Sequence, residues 1–271
     1  MDISEIFKDS LKFPLSDYKK FLIYGVIIVL STISAVLLGF KLNIILMGNG
    51  IIEIIVPIIA MIFMLIATGY EFSIIRNTIK HSDELPEFDL LTQFIEGIKI
   101  CVIEIIYGII PTIITFILCT IGLTGFIVAN QKNFMFLNAT NNPALTLAAI
   151  QNTFTPELAI TALIIFIIAA ILFILFGLLC HIGIARYADK GNFGSAFDFK
   201  QIFETISQIG WGKYIIWIIT VIIIMAIIFF IGLIISLIPY VGVLLTALII
   251  GSFSVIFFAR SLGLIYNSKD N

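Results

Sequence analysis

Polar and apolar positions in this chain fall into two patterns. Long runs of Ile, Leu, Val and Phe carry no charge over residues 21–40, 158–180 and 214–259. Between them lie short polar stretches whose apolar residues recur at helical spacing. A helix crossing a bilayer needs about 20 apolar residues, and runs of that length are rare in buried helices of soluble domains. The pattern predicts six spanning helices, at 21–40, 52–70, 98–120, 158–180, 214–237 and 241–259. The last two are separated at "IPYVG", where Pro239 disfavours helix at the residue before it.

The polar stretches have a pattern of their own. Three precede alternate spans: "ISEIFKDSLKF", with Ile3, Ile6, Phe7 and Leu11 on one face; "FDLLTQFIEGI", with Phe88, Leu91, Phe94, Ile95 and Ile98; and "FDFKQIFETISQI", with Phe199, Ile202, Phe203, Ile206 and Ile209. Each predicts a short amphipathic helix lying in the membrane interface. Asp89 and Asp198 stand where a helix would start, suited to accept its free N–H groups and oppose its dipole. The expectation is an all-α polytopic membrane bundle of six transmembrane helices and three interfacial ones. It forms one membrane domain of three helix-plus-hairpin units, about 1–80, 81–190 and 191–271. The bland alternative is that any membrane protein with inner loops shows such stretches.

Composition agrees with the pattern. Of the 271 residues 61% are hydrophobic and 12% charged, and mean hydropathy is +1.17. A soluble domain carries about 25% charged residues. The opening residues are polar and amphipathic, so the first apolar run reads as a retained span rather than a signal peptide. Cys101, Cys119 and Cys180 lie in or beside apolar runs without metal or disulfide spacing. The net charge of -2 points to no nucleic-acid partner.

Basic residues set an orientation. All but Lys41 and Lys132 of the 15 lysines and arginines fall on one side of the predicted spans. By the positive-inside rule that side is cytoplasmic, with both termini. The charge-dense "KHSDELPEFD" is then an inner loop. The segment between the third and fourth spans is outer, and its Asn138 heads a glycosylation sequon of the kind that arises often by chance.

Few side chains suggest chemistry. Glu104 lies about 8 Å along the third span from Lys99, and ionisable groups at depth are functional candidates; the competing reading is an interfacial Glu paired with Lys99 or a neighbouring arginine. Arg76, Arg186 and Arg260 each end a hairpin on the inner side. They are candidates for contact with anionic lipid or phosphate, since the guanidinium fork matches phosphate, or they are simple topology anchors. Pro57 and Pro111 lie inside spans as kinks or packing features. His81 and His181 have no ligand set around them. Asp83, Glu84, Glu87 and Asp89 lack calcium-loop spacing and read as a solvated loop. The residues name no cofactor, no metal and no catalytic group.

"GYEFSIIRNTIKHSDELPEFDLLTQFIEGIKICVIEIIYGIIP", "ARYADKGNFGSAFDFKQIFETISQIGWGKY" and "IPYVG" with "ARSLGLIY" resemble the archaeal membrane proteins grouped as domain of unknown function 4013. The resemblance covers most of the chain apart from the outer segment. It implies a plasma-membrane protein and no activity. The expectation is a non-enzymatic protein that transports or handles a lipid or small molecule, with membrane lipids as partners. The alternative is a scaffold or accessory subunit that organises lipids, copies of itself or a membrane partner. A lipid-precursor enzyme ranks behind both.

Overall fold

The computed structural model describes residues 1–33, 50–129, 131, 156–239 and 241–270. Asn138, most of the outer segment and residues 34–40 of the predicted first span lie outside them. All regular structure among the described residues is helical: α1 (Ile3–Lys12), α2 (Tyr18–Ser31), α3 (Gly50–Ile79), α4 (Leu90–Ala129), α5 (Pro156–Lys190), α6 (Phe199–Ile209), α7 (Trp211–Ser236), α8 (Gly242–Leu245) and α9 (Ser252–Asn267). A π-helical turn, Thr246–Gly251, joins α8 to α9. Five helical stretches are long and apolar enough to cross a membrane: Ile54–Ile79, Leu90–Phe126, Leu158–Lys190, Trp211–Ser236 and Gly242–Asp270. The chain divides into two compact units, one of Met1–Ile103 with Leu179–Asn271, the other of Glu104–Leu178.

The helices outrun the apolar runs. The second predicted span ends at residue 70 but α3 continues to Ile79; the third starts at 98 but α4 starts at Leu90; the fourth ends at 180 but α5 continues to Lys190. The last continues from 259 to Asn267. A window keyed to apolarity stops at the first charge, whereas Glu, Lys, Arg and Gln are good helix formers. About eight to ten extra residues add roughly 12–15 Å to each helix. Much of the core of the larger unit lies in these extensions: Phe72, Ile74, Ile182, Ala185, Leu262, Ile265 and Tyr266 are nearly inaccessible.

Two amphipathic segments are separate helices. An Asp2–Glu5 capping box starts α1, and Ile6, Phe7 and Ser10 form its buried face. Phe7 meets Phe257 of α9 with ring centres 6.2 Å apart. Asp198 caps α6 by accepting from Gln201 N–H at 3.1 Å, and Gly210, at φ 93°, turns the chain into α7. The buried face of α6 is Ile202, Thr205, Ile206 and Ile209. Phe199 and Phe203, expected on that face, are exposed.

The third segment is not a separate helix. It is the opening of the 40-residue α4, and its expected stripe faces outward, with Leu91, Ile95 and Ile98 exposed. The inward side is Gln93, Gly97, Ile100 and Ile103. Glycine explains the reversal. A Cβ on Gly97 would stand 1.9 Å from the Leu65 carbonyl oxygen, and one on Gly69 would stand 1.7 Å from that of Gln93. The backbones of α3 and α4 therefore touch at a reciprocal pair of glycines, the small-residue contact that serves where lipid removes the hydrophobic drive between helices.

Gly97→Ala is accordingly expected to destabilise the protein by about 2 kcal/mol through overpacking. In an uncrowded helix the same change would stabilise by about 1 kcal/mol. Thermal unfolding in detergent reads the sign; a melting temperature raised by Gly97→Ala would sink the close-contact account.

Candidate functional site

Ion pairs among the described residues of the larger unit gather into three clusters at and around the helix extensions. The first begins with the end of α3. His81 N–H donates to Thr78 O at 3.0 Å and Ser82 N–H to Asn77 O at 2.9 Å, with His81 left-handed at φ 60°. This is a Schellman cap with histidine where glycine is usual. It turns the chain so that the Ser82 carbonyl and Asp83 meet Arg260 of α9. The guanidinium donates to Ser82 O at 2.7 Å, to Asp83 Oδ1 at 2.6 Å and to Asp9 of α1 at 2.7 and 3.3 Å. It lies 4.4 Å over the Phe13 ring. Arg260 is 3% exposed and is occupied by the protein itself.

The rest of the charged loop is anchored the same way. Lys20 of α2 donates to Leu85 O at 2.7 Å and pairs with Glu87 at 2.6 Å. The Tyr70 hydroxyl donates to Pro86 O at 3.2 Å, and Gln93 to Glu87 O at 3.0 Å. Phe88 stacks on Tyr70, which stacks on Tyr24. Asp89 caps α4 through the Thr92 N–H and hydroxyl, at 3.2 and 2.6 Å. Those bonds hold its carboxyl below the usual carboxylate range. Among the described residues no three His, Cys, Asp or Glu side chains gather as a metal would need.

The second cluster centres on Glu96 of α4. It accepts a short hydrogen bond from the Tyr187 hydroxyl of α5, pairs with Lys99 at 3.1 Å and has Arg76 at 3.9 Å. Arg76 also lies 4.7 Å over Phe72, whose ring stacks on Tyr187. In the third, Asp189 of α5 accepts from the Tyr266 hydroxyl at 2.9 Å and pairs with Lys269 and Lys190, each at 3.3 Å.

The sequence-predicted residues meet different fates. Lys99, a suggested partner of Glu104, belongs to Glu96 instead. Glu104 is exposed, beside Val102, Ile105 and Ile106 on the outer face of α4. Arg76 and Arg260 each take a carboxylate. Arg186 of α5, 8% exposed, takes none among the described residues: its Nη1 donates to Thr205 Oγ1 at 3.2 Å, and its Nε is buried without an acceptor. Glu96, Tyr187, Asp189 and Tyr266 were not foreseen. Their only signal was position, within about three turns of the ends of apolar runs.

These features define an all-helical, multi-pass membrane protein. Its residues 52–237 match the family described as Protein of unknown function (DUF4013), and the chain belongs to that family. No curated protein and no solved structure matches it significantly.

The first cluster orders the effects of substitution. Arg260→Ala should cost about 2–3 kcal/mol, since hydrogen bonds to charged groups are worth about 1.5–3 kcal/mol each and the carboxylates left behind regain water. Asp9→Asn should cost less. Asp83→Asn should cost under about 1 kcal/mol, as its side chain is 86% exposed and the pair is screened. Melting temperatures in detergent give the ranking; an Asp83→Asn penalty equal to that of Arg260→Ala would contradict it.

Proposed function

We propose that the chain is a non-enzymatic plasma-membrane protein with six spans and cytoplasmic termini that handles a lipid or small molecule at the inner headgroup level. The observation that carries this is the exposed pair Phe203 and Trp211, 48% and 45% accessible with ring centres 6.1 Å apart, between Lys200 and Lys213. Amphipathic rings beside lysines suit the membrane–water interface, where aromatic belts form. Exposed isoleucines on α7, among them Ile215, Ile219 and Ile223, suit hydrocarbon beyond it. In this reading α1 and α6 lie at the interface, and the tied helix extensions form the cytoplasmic end.

The three-unit organisation draws support from caps. Asp2, Asp89 and Asp198 start α1, α4 and α6, and left-handed residues His81 and Gly191 follow α3 and α5. A second reading, scaffold or accessory subunit, draws on Glu104. A carboxylate on an outer apolar face is costly in lipid and calls for a partner, such as a second copy or another membrane protein.

Orientation is tested in a background without Cys101, Cys119 and Cys180. In intact cells, Asn141→Cys should react with an impermeant thiol reagent and Glu84→Cys should not; the reverse pattern would overturn the topology. Native mass spectrometry of the detergent-purified chain tests the function. A ligand bound at fixed stoichiometry supports handling. A lipid complement mirroring the bulk membrane, with copies or partner subunits attached, would replace it with the scaffold.

A further inference from the structure

A guanidinium stays protonated in any protein environment, so it cannot relieve burial by losing its charge. Arg260 shows how this chain accommodates one: its Nε–Nη2 edge is given to the Asp9 carboxylate and the rest to Asp83 and the Ser82 carbonyl. Arg186 is almost as buried, at 8% exposure, among Ile182, Ala185, Tyr187 and Ala188 of the last turns of α5. Its one acceptor among the described residues is a neutral hydroxyl, Thr205 Oγ1. That hydroxyl gives its own proton to Gln201 O at 2.7 Å, which leaves its lone pairs for the guanidinium.

The nearest acid along the same helix, Asp189, is engaged by Tyr266, Lys269 and Lys190. The Nε of Arg186, half of the edge that Arg260 spends on a carboxylate, is buried with no partner. A buried charge without a counter-charge costs several kcal/mol. Two consecutive helices, α5 and α6, nevertheless hold this side chain in place through Thr205.

We infer that Arg186 is the anchor of an anion site, in which a phosphate group supplies the missing counter-charge by accepting from the Nε edge while Thr205 fixes the guanidinium plane. A tetrahedral oxyanion presents two oxygens at the spacing of that edge. The phosphate belongs either to a phospholipid headgroup or to a free phosphate; the chemistry at Arg186 is the same. The site gives a ligand class to the handling function proposed above and rests on that reading. Among the three arginines that end hairpins it singles out one, since Arg76 and Arg260 are already paired.

The test uses the full chain, purified in neutral detergent, as wild type, Arg186→Lys, Arg186→Met and Arg76→Lys. Thermal unfolding is followed while inorganic phosphate is titrated at constant ionic strength into a sugar-headgroup detergent, and separately while phosphatidylglycerol is titrated into the same phospholipid-free micelles. Wild type and Arg76→Lys should be stabilised in at least one series. Arg186→Lys, which keeps the charge but loses the fork, should need about tenfold more ligand for the same shift. Arg186→Met should show no shift and should melt at or above wild type in detergent free of phosphate and phospholipid, because an unpaired charge has been removed. A response confined to phosphatidylglycerol assigns the site to a lipid headgroup, and one to inorganic phosphate assigns it to the free ion. Equal responses in wild type and Arg186→Lys, no response in either series, or a lower melting temperature of Arg186→Met without phosphate would each overturn the inference. The handling reading fails separately: it falls if wild type retains no ligand by native mass spectrometry, and it survives if a retained ligand is indifferent to Arg186.

Discussion

A loop packed against helices must find donors for its carbonyls, and much else in the larger unit follows from how this one does. The carbonyls of residues 82–87 have no ladder or helix to bond with, and a carbonyl buried without a donor is costly. Four carbonyls are met by four side chains from four helices: Ser82 by Arg260 of α9, Leu85 by Lys20 of α2, Pro86 by Tyr70 of α3 and Glu87 by Gln93 of α4. Asn267 adds bonds to the last carbonyls of α3, at Thr78 and Ile79. The loop thereby fixes how α2, α3, α4 and α9 are set beside one another, which contacts of Ile on Ile would not specify.

Much of the all-helical fold was legible because span length and apolarity are coupled by the thickness of the bilayer. The helix starts at Asp89 and Asp198 were legible for a local reason, the match between a short carboxylate and free N–H groups. The helix ends were not. Apolarity reports the membrane, whereas Arg186, Asp189 and Lys190 lie in helix beyond the apolar run, and Asp189 is held there by Tyr266 and Lys269, distant in sequence. The outward stripe of α4 was misread for a related reason. Leu91, Ile95 and Ile98 have helical spacing whether they face protein or lipid, and only the glycine contacts at 69 and 97 decide which side is inside. Among the arginines, sequence offered three equivalent positions; three-dimensional partners separate them into two that are paired and one that is not.

The bond between Asp9 and Arg260 joins positions 251 residues apart. A chain made at about 5–20 residues per second places these two residues on the order of 10–50 s apart in synthesis. During that interval α1 has its capping box but lacks Arg260, and Phe7 has no Phe257 to pack against. The first helix is thus held in waiting through the insertion of every span, and its docking records that the last one has arrived.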